Sequence, residues 1–258
     1  MAAPIGTCKL CLRSGETLRE SHVIPRWAYT RLRDTRAGEP PEPIAIEKGE
    51  ARRTAKQVKE YMLCGDCEQK LGVYDNEVSR LACNASQFPA IAHVGRVIAT
   101  NQEGTELAES GSLDLVRLAY FACSVVWRGH AARSVPDCNL GPLAESFRRF
   151  LNGESGPPAK VVLTLSLLRD EPGSDQMASI ISLPQTQRSR PRFNHQFALC
   201  GLYFAVSTGN DGSLLPSVAA TDHYVALVAP AKYKSWLPDI GATPFKGHNP
   251  PKTTRVTP

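Results

Sequence analysis

Four cysteines near the start of the chain fall in two close pairs, Cys8-Lys9-Leu10-Cys11 and Cys64-Gly65-Asp66-Cys67. Two CxxC pairs supply four thiolates, the donor set of a closed tetrahedral zinc site. Such a site has no open coordination position, so its ion holds structure and leaves bond-making to its neighbours. Between the pairs stands Ser21-His22-Val23-Ile24-Pro25. His22 suits proton transfer, because an unperturbed imidazole titrates near neutral pH.

Basic side chains surround these groups. Arg26, Arg31, Arg33 and Arg36 flank Trp27 and Tyr29, and Arg52, Arg53, Lys56 and Lys59 follow. Arginines of this kind can hold phosphates without reading base sequence. Glu39, Glu42, Glu47, Glu50 and Glu60 are interspersed, and a solvated face of mixed charge is the competing reading. The net charge of +5 permits a polyanionic partner without demanding one.

The order of knuckle, histidine-bearing hairpin, second knuckle and helix resembles the HNH, or ββα-metal, nuclease family. In its zinc-stapled members one CxxC precedes a hairpin that carries an acidic residue and a catalytic histidine, commonly read as Asp-His-Ile-Ile-Pro. A second CxxC opens the helix, and the residue after its last cysteine, usually Asn or His, ligates the catalytic metal. The resemblance covers about residues 5–82. It implies a structural zinc on Cys8, Cys11, Cys64 and Cys67, with His22 as general base for phosphodiester hydrolysis. It further implies that Glu68 holds a catalytic Mg2+ or Mn2+, and that Arg26, Arg31, Arg33, Arg52 and Arg53 bind DNA or RNA. The chain departs from the pattern at three points. Ser21 stands where the family has an acid, no Asn lies between Arg26 and Cys64, and Glu68 replaces Asn or His. Glu20 does not simply replace the missing acid, because neighbouring residues of a strand point to opposite faces. The alternative is a non-catalytic zinc module that binds nucleic acid or protein. A third reading gives the main function to the C-terminal part, with the zinc site as a fold staple.

The elements that position these residues follow from pattern. Gly15 marks a turn, and Leu18–Ile24 reads as the returning strand of a hairpin. Arg26–Arg33 fits a short helix. Leu71, Tyr74, Val78 and Leu81 share one helical face over about residues 67–83. Ser112 reads as the cap of an amphipathic helix that runs to about Ala132. A further helix begins near Pro142 and ends at Gly153. Residues 160–168, 177–183, 196–207 and 223–229 read as strands. The expected fold class is α+β: a zinc-stapled ββα-metal, treble-clef-like module over 1–95, a helix-plus-antiparallel-sheet domain over 96–240, and a loose Pro-rich basic tail over 241–258.

The chain has 258 residues, of which 42% are hydrophobic and 21% charged, an ordinary globular balance. No apolar run approaches the roughly 20 residues that span a bilayer. The start offers no secretory apolar segment, so a cytoplasmic protein without a membrane partner is expected. Cys83, Cys123, Cys138 and Cys200 have no regular spacing and read as small core residues. A homo-oligomer is compatible with all of this.

Overall fold

The computed structural model describes residues 3–33, 44–47, 50–53, 57–83, 87–102, 105–158, 161–168, 180–189, 192–209 and 224–228. The expected tail over 241–258 lies outside them, as do Arg36 and Lys56.

The N-terminal stretch is built from short strands around the two cysteine pairs. β1 (Ile5–Gly6) pairs antiparallel with β2 (Glu16–Thr17), and the first CxxC lies in the loop between them. Gly15, at a φ of 75°, turns the chain into β2 as its position in the sequence predicts. β3 (Arg19–His22) follows, then α1 (Arg26–Arg33), β4 (Ile44–Glu47), β5 (Glu50–Arg53) and β6 (Lys59–Leu63). The expected returning strand over 18–24 is therefore shorter, and it pairs elsewhere. β3 runs antiparallel to β6, with His22 opposite Lys59. The strand that carries His22 is thus paired to β6, which leads directly into Cys64. α2 (Gly65–Ser79) starts there, with Cys64 in extended conformation as its N-cap. Asp66 lies inside the first turn.

The remaining elements, together with β4 and β5, form one large sheet and the helices that cover it. β7 (Val97–Thr100) and β8 (Glu106–Glu109) are an antiparallel hairpin. α3 (Leu115–Ala131) is capped by Asp114, whose carboxylate accepts the Arg117 N–H at 3.0 Å. Asp114 takes the capping place predicted for Ser112, two residues on. α4 (Ala144–Asn152) ends at Gly153, which adopts the left-handed conformation its residue type predicts (φ 80°). β9 (Val161–Leu168), β10 (Ile180–Ser182), β11 (Gln185–Ser189), β12 (Arg192–Leu199), β13 (Leu202–Gly209) and β14 (Tyr224–Val228) complete the chain. The sequence pattern reads 196–207 as one strand. It is instead a hairpin that turns on Cys200 and Gly201, both at positive φ, the geometry a two-residue turn requires.

Among the described residues the sheet order is β5-β4-β10-β12-β13-β9-β14-β8-β7, with β11 also on β12. Its joins are antiparallel except β4–β10 and β9–β14. The fold is thus mixed helix and mainly antiparallel sheet. α3 lies on this sheet through Phe121, whose ring meets Phe204 at 5.4 Å and Phe197 at 6.2 Å. On its other side Tyr120 stacks on Tyr74 of α2 at 3.8 Å. One buried cluster extends from Cys8 and Leu10 through Leu71, Phe121 and Phe147 to Phe204. Cys83, Cys123, Cys138 and Cys200 are all buried within the protein. Burial pushes the thiols of Cys123, Cys138 and Cys200 up to about 12, so they stay protonated at neutral pH. Among the described residues no helix is long and apolar enough to cross a membrane.

Candidate functional site

The two CxxC pairs meet. The sulfurs of Cys8, Cys11, Cys64 and Cys67 all lie within 4.8 Å of one another. Cys11 Sγ and Cys64 Sγ are 3.8 Å apart. A tetrahedron of thiolates at the usual Zn–S length has edges of ~3.8 Å, so the donor set and its spacing fit a metal ion such as zinc. Two backbone conformations make the convergence possible. Leu12 turns the first knuckle at a φ of 61°, and the extended Cys64 aims its sulfur back at that knuckle.

The surroundings polarise the sulfurs unequally. Cys8, Cys64 and Cys67 are buried and Cys11 is half-buried. The Cys64 backbone N–H donates to Cys8 Sγ at 3.3 Å. Arg13 Nη2 donates to Cys64 Sγ at 3.5 Å and to Asp66 Oδ2 at 2.6 Å. Burial alone raises the Cys11 thiol, but hydrogen bonds from the Arg13 backbone and guanidinium outweigh it and bring Cys11 down to about 6. Burial and the neighbouring sulfurs push Cys67 the other way. Such a set binds metal with release of its remaining protons.

Side chains from the cysteine region anchor the knuckle and α2 to the helices. Lys9 Nζ donates to the Ala131 carbonyl at the end of α3 (2.6 Å). Arg148 of α4 donates to the Leu10 carbonyl inside the knuckle (2.7 Å) and forks onto Glu145 and Glu154. Lys70 of α2 reaches the Asn152 carbonyl at the end of α4 (3.0 Å).

His22 ends β3 and is half-buried. Its Nε2 is 2.7 Å from Gln57 Oε1. With the amide oxygen as acceptor, Nε2 carries the proton and Nδ1 keeps the lone pair that a base uses. Gln57 has no motif to mark it. The β3–β6 register, with His22 opposite Lys59, sets Gln57 just beyond the strand end. The Tyr29 ring lies 6.5 Å from the imidazole.

Glu68 stands in the first turn of α2, and its Oε1 is buried without a hydrogen-bond partner. A buried carboxylate oxygen left unpaired is costly, and a cation or a donor on a bound molecule would satisfy it. Ser21 is buried, and its hydroxyl donates to the Arg19 carbonyl at 3.3 Å. Asp75, two turns along α2 from Glu68, is held by both terminal nitrogens of Arg128 at 3.0 and 2.8 Å. Burial raises the Asp75 carboxyl, while Arg128 and the nearby His22 act to lower it. Among the described residues, no group of three or more His, Cys, Asp or Glu side chains other than the four cysteines converges on one point.

The basic residues diverge in their surroundings. Arg26 is exposed. Arg31 donates to the Ala82 carbonyl at 2.6 Å and lies over the Trp27 ring, so it braces α1 against the end of α2. Arg33 ends α1, and Arg52 and Arg53 lie on β5; their side chains are outside the described part. Compared with protein-family models, with curated proteins and with solved structures, the chain matches none of them.

Proposed function

We propose that residues 5–82 form a zinc-stapled, treble-clef-like module of the HNH type, and that the protein hydrolyses phosphodiester bonds in DNA or RNA with a divalent ion. The observation that carries this reading is the oriented imidazole. His22 ends a strand whose partner, β6, runs into the cysteine-held start of α2, and Gln57 fixes its ring at 2.7 Å. A base held by a third group is the arrangement that general-base chemistry uses. Glu68 supports the reading through its unsatisfied Oε1. One carboxylate holds Mg2+ or Mn2+ weakly by itself, and substrate phosphates and waters complete the shell. In this reading His22 takes a proton from water at Nδ1, Glu68 contributes to the ion, and Arg26 contacts phosphate.

The second reading, a zinc module that binds nucleic acid without cutting it, is favoured by one specific feature. Ser21 occupies the position of the family's acidic ligand, and it is buried with its hydroxyl turned onto its own strand. Full-length protein with Mg2+ or Mn2+, assayed on supercoiled plasmid and on RNA, separates the two. Nicking or cleavage that disappears in His22→Ala, at equal zinc content, is the expected result. Equal cleavage by both proteins removes His22 from the chemistry. Salt-sensitive binding with no cleavage by either protein establishes the binding module in place of the enzyme.

A further inference from the structure

α3 buries one charged side chain, Arg128, among otherwise apolar and small residues. Its guanidinium makes five hydrogen bonds, as many as it has N–H donors. Nε donates to the Ser124 carbonyl (3.3 Å) and Nη2 to the Ser124 hydroxyl (3.2 Å), which fixes the group on its own helix. Nη1 and Nη2 fork onto Asp75 of α2 at 3.0 and 2.8 Å. The remaining donor, on Nη1, goes to the backbone carbonyl of His22 at 3.2 Å. A single buried cation thus joins α3, α2 and the end of β3. The carbonyl it holds belongs to the residue whose imidazole is read as the base.

We propose that Arg128 is a positioning residue for His22, one that fixes the exit of β3 against α2 and so sets where the imidazole stands. The inference rests on the reading of His22 given above, and it makes α3 part of the working site. Two features support a positional role over a generic ion pair. A fork onto Asp75 alone would satisfy the charge, yet the spare donor is spent on the His22 carbonyl. On the next residue, the Val23 N–H donates to the Val58 carbonyl at 3.0 Å, so the chain at His22 is held from the segment leading into β6 and from α3 at once. Lysine cannot replace this geometry, because its three donors radiate from one atom.

The test uses full-length protein and two variants. Removing Arg128 alone strands Asp75 as a buried unpaired charge and endangers folding, whereas replacing both partners by apolar residues of similar volume preserves folding in many proteins. The double variant Asp75→Leu/Arg128→Met therefore keeps the packing and loses the anchor on His22. Arg128→Lys keeps a positive charge beside Asp75 and serves if the double variant does not fold. With zinc content equal to wild type, either variant is expected to lose roughly 10–100-fold in kcat with KM changed less than about 2-fold, since a small misplacement of a reacting group costs that much. The 15N shift of His22 Nε2, read in histidine-labelled protein, is expected to move as the hydrogen bond to Gln57 changes. Wild-type kcat together with an unmoved His22 signal in a folded variant overturns the proposal. If wild-type protein cleaves nothing, the nuclease reading fails separately, and the His22 signal in Arg128→Lys, which leaves Asp75 in place, decides alone whether Arg128 positions the ring: movement sustains it and no movement overturns it.

Discussion

His195 couples stability to pH in a way the structure allows to be worked out. The residue lies on β12 and is 1% exposed. Its Nδ1 is 2.9 Å from Thr186 Oγ1, and its Nε2 is 3.5 Å from Thr208 Oγ1. Burial, with a smaller contribution from His130 at the end of α3, lowers it from 6.5 to about 4. The folded protein therefore keeps His195 neutral where an unfolded chain would protonate it. The unfolded state binds more protons between pH 6.5 and about 4, so stability falls as pH drops through that window. The loss is absent above pH 7 and complete below about 4, where it reaches about 3 kcal/mol. At pH 5 it amounts to about 2 kcal/mol. His195→Gln removes the titration while an amide can still donate to one threonine and accept from the other. Denaturant unfolding at pH 7.5 and pH 5, at constant ionic strength and with zinc in excess, measures the difference for each protein. The variant should lose about 2 kcal/mol less than wild type between the two values. Equal losses in both would refute the assignment of the proton to His195, whatever the absolute stabilities.

Three further outcomes are expected. Arg13→Met removes the guanidinium donor from Cys64 Sγ; loss of such an outer hydrogen bond lowers metal affinity roughly 10–100-fold, which competition with a chromogenic zinc chelator reads directly. Gly201→Ala forces a Cβ to within 2.3 Å of Cys83 Sγ at a φ of 81°; strain and overpacking together should cost about 2–4 kcal/mol in denaturant unfolding, with the zinc content unchanged. Removal of the metal by a strong chelator should unfold the knuckle and, through Lys9 and Arg148, loosen the ends of α3 and α4; amide exchange at residues 128–131 and 148–152 should accelerate, and unchanged exchange there would show the anchors to be passive.

Much of the local structure was legible because short-range chemistry fixes it. The boundaries of α1 match, Gly153 ends α4, and the cysteine pairs converge although Cys11 and Cys64 stand 53 positions apart. What the pattern missed depends on partners remote in sequence. Leu18–Ile24 has strand character, but nothing local says that β6 pairs with it. Cys200 and Gly201 sit within an unbroken apolar run, so the turn is announced only by one glycine. Gln57 and Arg128 belong to no motif. Gln57 matters because of the β3–β6 register, and Arg128 because α3 lies against α2. At the end of a helix an arginine reads as a favourable dipole partner, and burial is what changes its meaning.

How His22 is held, rather than the cysteines, is what separates a nuclease from a binding module. Four thiolates within 4.8 Å can bind a metal ion whether or not any bond is cut nearby. A strand end fixed from Gln57 on the side chain and from Arg128 on the backbone is more than a simple staple needs, because the cysteine cluster already clamps the β1–β2 loop to the start of α2 without it. Ser21 argues the other way, since its buried hydroxyl cannot act as the carboxylate the family pattern expects. Ser21→Asp weighs these against each other. The substitution adds an acid one residue before His22, at a buried position where an unpaired carboxylate is strongly disfavoured. If Glu68 and His22 already frame a divalent-ion site, Mn2+ should stabilise the variant more than wild type, by a margin that a thermal-shift titration reads as a larger rise with the same ion concentration. If no ion shares that space, the variant should be destabilised equally with and without Mn2+, and the module reading would stand.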